Sequence, residues 1–341
     1  MAVTGHRYDV VGIGNAIVDV ISRESEDFIT TWGLTKGAMT LVDADRSAEL
    51  YSHMAPAIET SGGSAANTMA GIASFGRRAA YIGKVRDDQL GAVFRHDIRA
   101  TGVAFDVAAG TEGLPTARCL IVVTPDAART MNTHLGISQH LDPTDIDEEL
   151  VATSKVLYCE GYIWDIPRTK EAIRHAIDVA HGEGNAVSFT LSDTFCVERH
   201  LPEWHELLDG PIDILFGNEA EFCVLTGTDD PAEALEKVRG RCDIVAMTRG
   251  ARGSVIITTD ETIDIEAAEI DGVVDTTGAG DMYAAGFLAG WTAGEPLKRC
   301  GELASLAAAE VIGHLGARPA TPLDQLARDH LGVAVAVGRT R

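Results

Sequence analysis

Short β-branched runs alternate with amphipathic stretches along most of this chain, and few folds accept that rhythm. Tyr8-Asp9-Val10-Val11-Gly12-Ile13-Gly14 precedes a helical pattern over 64–75, then the strand-like Ala79-Ala80-Tyr81-Ile82-Gly83 and a second helical pattern over 88–99. The second half repeats the alternation, with strand-like runs at 156–159, 186–190, 212–216 and 243–247 and helical patterns over 168–181 and 219–225. Apolar periods near 2 therefore trade places with periods near 3.6. This predicts an α/β fold with a mainly parallel central sheet flanked by helices on both faces.

Two stretches break the rhythm. Segments 16–43 and 105–133 hold strand-like runs without long helices between them, most clearly Val18-Asp19-Val20-Ile21-Ser22, Gly37-Ala38-Met39-Thr40-Leu41-Val42 and Thr116-Ala117-Arg118-Cys119-Leu120-Ile121-Val122-Val123. They suggest a small separate sheet beside the main one. No fixed-period repeat, low-complexity tract or Pro/Ser linker divides the chain, so 1–341 reads as a single domain.

The 45% hydrophobic content is ample for a packed core at this length. A net charge of −23 argues against nucleic acid or an anionic membrane as partner, because either would repel the protein. A small anion held by backbone N–H groups is still compatible with that charge. The six cysteines show no C-x-x-C pair and no zinc-finger spacing, which fits reduced thiols. With no apolar segment of membrane-spanning length, a cytoplasmic location is the expectation.

The chemistry concentrates in Asp275-Thr276-Thr277-Gly278-Ala279-Gly280-Asp281, a glycine turn opening the small, apolar helix pattern that starts at Met282. Gly278 and Gly280 let the backbone approach a ligand, and the free N–H groups of a first helical turn favour an anion. Asp281 is placed to take a proton from an attacking hydroxyl while those N–H groups hold a phosphoryl group. A lone Gly-x-Gly-Asp would read as a helix cap. The full run, however, resembles the Asp-Thr-x-Gly-Ala-Gly-Asp signature of the ribokinase-like (PfkB) family of carbohydrate and nucleoside kinases. The resemblance implies a ribokinase-like α/β domain with a small β-sheet lid over the acceptor, its strands inserted at about 16–43 and 105–133. It also implies Asp281 as general base and Gly278, Ala279 and Gly280 as the anion hole.

A second motif, Ser61-Gly62-Gly63-Ser64-Ala65-Ala66-Asn67-Thr68, is a tight turn before a helix. Its glycines let a polyol approach the backbone, and Asn67 offers a donor and an acceptor to vicinal hydroxyls. Met69 and Arg86 stand where the family pattern has a small residue and a glycine. Gly12-Ile13-Gly14-Asn15-Ala16-Ile17-Val18-Asp19 begins like a dinucleotide fingerprint, but Ile17 takes the place of the third glycine, which argues against that reading. The family resemblance instead puts Asn15 and Asp19 with Gly62, Gly63, Ser64 and Asn67 at the acceptor, Asp19 receiving two sugar hydroxyls.

For the donor, the resemblance implies that Asn218 and Glu221 order magnesium-bound water and phosphate, so Mg2+ would be held by Glu221 only through water. It places Thr248, Gly250, Gly253 and Thr276 along the phosphates and ribose of ATP, the co-substrate, and Gly316 and Ala317 beside its adenine. A monovalent cation is a further candidate, and a monomer or a homodimer through the lid are both open.

Within the family the likeness is to bacterial adenosine kinases, carried by Gly14-Asn15-Ala16-Ile17-Val18-Asp19 and Leu191-Ser192-Asp193-Thr194-Phe195. A base needs an apolar slot beyond the ribose, for which Ile17, Met39, Cys119, Met131, Tyr162 and Phe195 are candidates, although each alone also reads as core. The expected reaction is ATP plus adenosine giving ADP plus AMP. A ribokinase or fructokinase activity is the alternative, and a catalytically silent nucleoside-binding regulator a more distant one.

Overall fold

A computed structural model describes residues 5–126, 128–270 and 272–332. Its strands are β1 (Tyr8–Ile13), β2 (Ile17–Arg23), β3 (Met39–Leu41), β4 (Ile58–Gly62), β5 (Ala79–Ile82), β6 (Ala117–Val123), β7 (Arg129–His134), β8 (Ser154–Glu160), β9 (Ala186–Thr190), β10 (Ile214–Asn218), β11 (Ile244–Thr248), β12 (Ser254–Ile257) and β13 (Thr262–Ile265). They form an eight-stranded sheet in the order β5-β1-β8-β9-β10-β11-β12-β13 and a five-stranded sheet in the order β3-β7-β6-β2-β4.

The main sheet is parallel from β5 to β11, as the alternating pattern requires, and β12 and β13 add an antiparallel edge. Successive residues of β1 point to opposite faces. Val11 and Ile13 pack with Leu157, Phe189 and the Pro167–Gly182 helix on one side. Val10 packs with Tyr81, Met69 and Phe287 on the other, where the Ser64–Ser74 and Ala279–Ala293 helices lie. Both faces are covered, so the central strands read as continuous apolar runs.

The edge hairpin β12-β13 is absent from the sequence reading, because two runs of four residues carry little periodic signal. Gly253 turns the chain into it at φ +79°, where a Cβ would stand 2.0 Å from the Ile265 carbonyl oxygen.

Five short strands make the second sheet. Val18, Val20 and Leu120 bury one of its faces against Leu50 and Phe94 of the Ala44–His53 and Gln89–Ala100 helices. The other face carries Ile17, Asp19, Cys119, Met131, Met39, Thr133 and Arg129, as the cross-strand pairs Asp19↔Cys119, Cys119↔Thr133, Met39↔Met131 and Val123↔Arg129 require. The outer strand β4 pairs antiparallel with β2, Ile17 opposite Gly62. The sequence reading treats Ser61 and Gly62 only as a turn, since Ile58-Glu59-Thr60-Ser61-Gly62 has a single large apolar residue. No helix among the described residues is long and apolar enough to cross a membrane.

Candidate active site

Gly278 adopts φ +80° and ends the loop from the main sheet with its Cα against Ala317, whose backbone a Cβ would meet at 2.8 Å. Past it the Ala279–Ala293 helix begins, and the Gly280 and Asp281 N–H groups bond to no described residue. A Cβ on Gly280 would meet nothing within 4 Å, so the turn faces open space. An open N–H turn of this kind can cradle a phosphoryl group.

Asp281 is half-buried at that turn. Its Oδ1 accepts from Ser64 Oγ at 2.6 Å and its Oδ2 from Asn67 Nδ2 at 3.2 Å. Burial raises its pKa to about 6, against the lowering effect of those two hydrogen bonds. The Gly-Gly-Ser motif and the Gly-Ala-Gly-Asp motif, far apart in sequence, therefore meet through the carboxylate.

Three glycines fix the backbone around Asn15, Asp19 and Asn67. Gly63 takes φ +99° and a Cβ there would lie 2.2 Å from the Asn15 carbonyl oxygen, and a Cβ on Gly62 would lie 2.3 Å from Asp19 Oδ2. A Cβ on Gly14 would lie 2.4 Å from Glu160 Oε2. Glu160, fully buried at the end of β8, accepts from Asn15 N at 2.8 Å, Asn15 Nδ2 at 2.9 Å and Ala65 N at 2.7 Å. Burial pushes its pKa to about 7 in spite of those donors. Asn15 Oδ1 is fixed in turn by Ser138 Oγ at 2.9 Å. The Asp19 carboxylate stands apart, receiving no hydrogen bond from any described residue. Burial raises it to about 6, opposed by the Arg318 and Arg129 guanidiniums and reinforced by the Asp281 charge.

The small sheet is tied to the anion turn through Arg129, whose Nη1 donates to Asp275 Oδ2. That carboxylate also receives Gly316 N at 2.9 Å and, on Oδ1, Thr277 N at 3.0 Å. Segment 316–318 thus lies across the turn, with Gly316 on Asp275, Ala317 on Gly278 and Arg318 reaching Asn67 Oδ1 at 3.3 Å.

Beyond Asn15, a cavity of about 120 Å³ opens between the small sheet and the main domain, lined in part by Leu41, Val42, Thr133, Leu135, Tyr162 and Ile163. Of the residues read from sequence for an apolar slot, Tyr162 lines it, with its hydroxyl donating to Ser192 O at 3.1 Å. Ile17, Met39, Cys119 and Met131 share the small-sheet face that carries Thr133, Met39 being 46% exposed. Phe195 is not brought in: it is 69% exposed at the start of the Thr194–Arg199 helix.

Asn218 and Glu221, expected from sequence at the donor site, form a reciprocal helix cap. Asn218 N and Nδ2 donate to the Glu221 carboxylate at 2.8 and 2.7 Å, and Glu221 N donates to Asn218 Oδ1 at 3.0 Å. Burial raises Glu221 to about 7, the Asn218 N–H lowering it and the Asp193 charge raising it further. Thr248 ends the neighbouring strand β11, and Gly250 (φ +57°) and Gly253 bracket the turn after it. Among the described residues no group of three or more metal-ligating side chains gathers. A magnesium ion carried on a triphosphate keeps several waters and needs few protein ligands, so the buried, negatively polarised Asn218–Glu221 cap and the open N–H turn are compatible with one.

The profile described as pfkB family carbohydrate kinase matches residues 28–324. The chain belongs to this family. Solved structures superpose over nearly its whole length. A Sinorhizobium meliloti adenosine kinase is 51% identical with a TM-score of 0.88, covering 95% of this chain and 99% of that one. A probable sugar kinase from Rhizobium etli CFN 42 is 48% identical with a TM-score of 0.90, covering 96% and 100%. Among curated proteins, an ATP-dependent ribose-1-phosphate kinase of Halopiger xanaduensis is 30% identical over 300 residues, 87% of this chain and 94% of that protein. This PfkB protein is therefore a sugar or nucleoside kinase with a ribokinase-like fold.

The sequence reading assigns no role to Glu160, Arg129 or Asp97, and it takes Arg318 only as part of the segment beside the adenine, whereas Arg318 also donates to Asp97 Oδ2 at 3.3 Å. Glu160 carries a signal in hindsight, as a carboxylate ending an otherwise apolar strand. The arginines carry none, because long-range packing alone decides where they point.

Proposed function

We propose that this kinase transfers the γ-phosphoryl group of ATP to the 5′-hydroxyl of adenosine, giving ADP and AMP. The observation that carries the choice of acceptor is the cavity beyond Asn15, walled by Leu41, Val42, Leu135, Ile163 and Tyr162. A free sugar leaves this compartment unfilled, whereas a purine on the ribose buries its faces against those side chains and presents its polar edge to Thr133, Ser138, Gln139 and Asp165 of the same lining. The 51% identity to the Sinorhizobium enzyme supports the same choice.

In this reading Asp19 and Asn67 hold the ribose, and Asp281 accepts the proton of the 5′-hydroxyl. The new O–P bond forms as the bond from the γ-phosphorus to its bridging oxygen breaks, and ADP leaves. The Gly280 and Asp281 N–H groups stabilise the migrating phosphoryl oxygens, a contribution of about 3 kcal/mol per well-aimed donor. Magnesium, when bound with ATP, supplies charge neutralisation on the phosphates, and Asn218 and Glu221 are the residues that would order its water shell. A sugar or sugar-phosphate acceptor is the second reading, favoured by the Halopiger relative.

ADP release with adenosine, inosine, ribose, ribose 1-phosphate and fructose separates the two. Adenosine is expected to exceed ribose at least a hundredfold in kcat/KM. Faster turnover of ribose, ribose 1-phosphate or fructose overturns the nucleoside assignment.

A further inference from the structure

Arg318 enters the acceptor side with its donors unequally used. Nε donates to Asn67 Oδ1 and Nη1 to Asp97 Oδ2, each at 3.3 Å. Nη2 is buried and has no hydrogen-bond partner. Asp97 does not leave Arg318 free to move toward another anion. Its Oδ2 also receives Ser61 N at 2.7 Å, Ser61 Oγ at 2.6 Å and Thr60 Oγ1 at 3.0 Å, which locks the carboxylate to β4.

On β2, next to β4, Asp19 presents a carboxylate that receives no hydrogen bond from any described residue. Asp19 and Arg318 attract each other, yet they form no ion pair. An acceptor without donors and a donor without acceptors, both largely withdrawn from water, are costly to leave so. The ligand that satisfies both supplies protons to Asp19 and an oxygen lone pair to Arg318. A phosphate would satisfy the guanidinium but be repelled by Asp19. A neutral hydroxyl does both, and two adjacent hydroxyls do so without strain.

We propose that Arg318 is a specificity-determining residue of the acceptor site, donating from Nη2 to a hydroxyl oxygen of the vicinal diol whose protons Asp19 accepts. This rests on reading Asp19 as the acceptor-binding carboxylate. Through Nε the same side chain fixes the Asn67 amide so that Nδ2 faces Asp281, which makes Arg318 a positioning residue for the base as well. The two roles predict different kinetics. Loss of positioning slows every acceptor alike, whereas loss of diol recognition narrows the gap between an acceptor and its deoxy analogue.

The test compares kcat/KM for adenosine, 2′-deoxyadenosine and 3′-deoxyadenosine in the parent, Arg318→Met and Arg318→Lys, with ATP KM and melting temperature measured alongside. The parent is expected to favour the diol over at least one deoxy analogue by about a hundredfold, as sites that hydrogen-bond a substrate hydroxyl do. In Arg318→Met that ratio should fall tenfold or more with ATP KM within twofold, and Arg318→Lys should fall between. An unchanged ratio overturns the proposal and leaves Arg318 only a support for Asn67. Should Arg318→Met not fold, Arg318→Lys decides by the same ratio. If another acceptor of the panel is the better substrate, the ratio is taken between that acceptor and its own deoxy analogues, so the nucleoside assignment and the role of Arg318 fail separately.

Discussion

Asp281 has a pKa of about 6 because burial outweighs two hydrogen bonds, which places the group where a general base works best near neutral pH. Ionised, it accepts a proton; protonated, it cannot. The pH profile of kcat/KM is therefore expected to be flat above about pH 7 and to fall below about pH 6 with a logarithmic slope of at least one, since Asp19 also titrates near 6. A profile flat down to pH 5 would count against both carboxylates. The bases of this residue-level picture were legible where chemistry is written in spacing. Asp281, Asn67 and Asp19 belong to contiguous motifs whose glycines announce close backbone approach. Glu160 and Arg318 were not legible in role, because their partners Asn15, Ala65, Asn67 and Asp97 come from remote segments.

At the scale of elements, the glycine turns set the site geometry and the helix starts supply its donors. Gly63→Ala is expected to raise acceptor KM at least tenfold and to cost about 2 kcal/mol of stability, since a side chain there meets both a positive φ and the Asn15 carbonyl. Denaturant unfolding with acceptor titration checks it, and an unchanged KM would contradict the account. Glu221→Ala removes one half of a capping box, a loss of about 1 kcal/mol. If Glu221 also orders magnesium-bound water, the variant will need at least severalfold more Mg2+ for half-maximal rate. An unchanged Mg2+ requirement would leave Glu221 a cap alone. Strands β2, β3 and β6 were legible from their β-branched runs. Strand β4 was not, because its buried residues are Ser61 and Gly62, neither of them large and apolar, while its one large apolar residue, Ile58, is 71% exposed.

On the scale of the whole molecule, two sheets close over one cleft and the Arg129–Asp275 pair links them at the anion turn. The cleft gathers carboxylates whose folded pKa values stand above their unfolded ones: Glu160 and Glu221 near 7, Asp19 and Asp281 near 6. Between about pH 4 and 7 the folded chain therefore holds protons that the unfolded chain has released, so stability falls as pH rises through that window. Asp9 works in the opposite sense. Its burial is outweighed by the Arg78 N–H and by Lys155, Arg78 and Arg77, which hold it at about 2, and its contribution is lost as pH falls from about 4 toward 2. The ligand-free protein should thus melt highest between about pH 4 and 6 and lower at pH 8, and a melting temperature rising steadily to pH 8 would contradict this.

Phosphoryl transfer at the Gly278–Asp281 turn, with Asp281 taking the proton, ties the residue, element and whole-molecule pictures together. Acceptor-dependent ADP release by the parent and by Asp281→Asn, at saturating ATP and magnesium, tests it most directly. A loss of at least a hundredfold in kcat with both KM values within threefold is the predicted result. Turnover by Asp281→Asn within tenfold of the parent would contradict it.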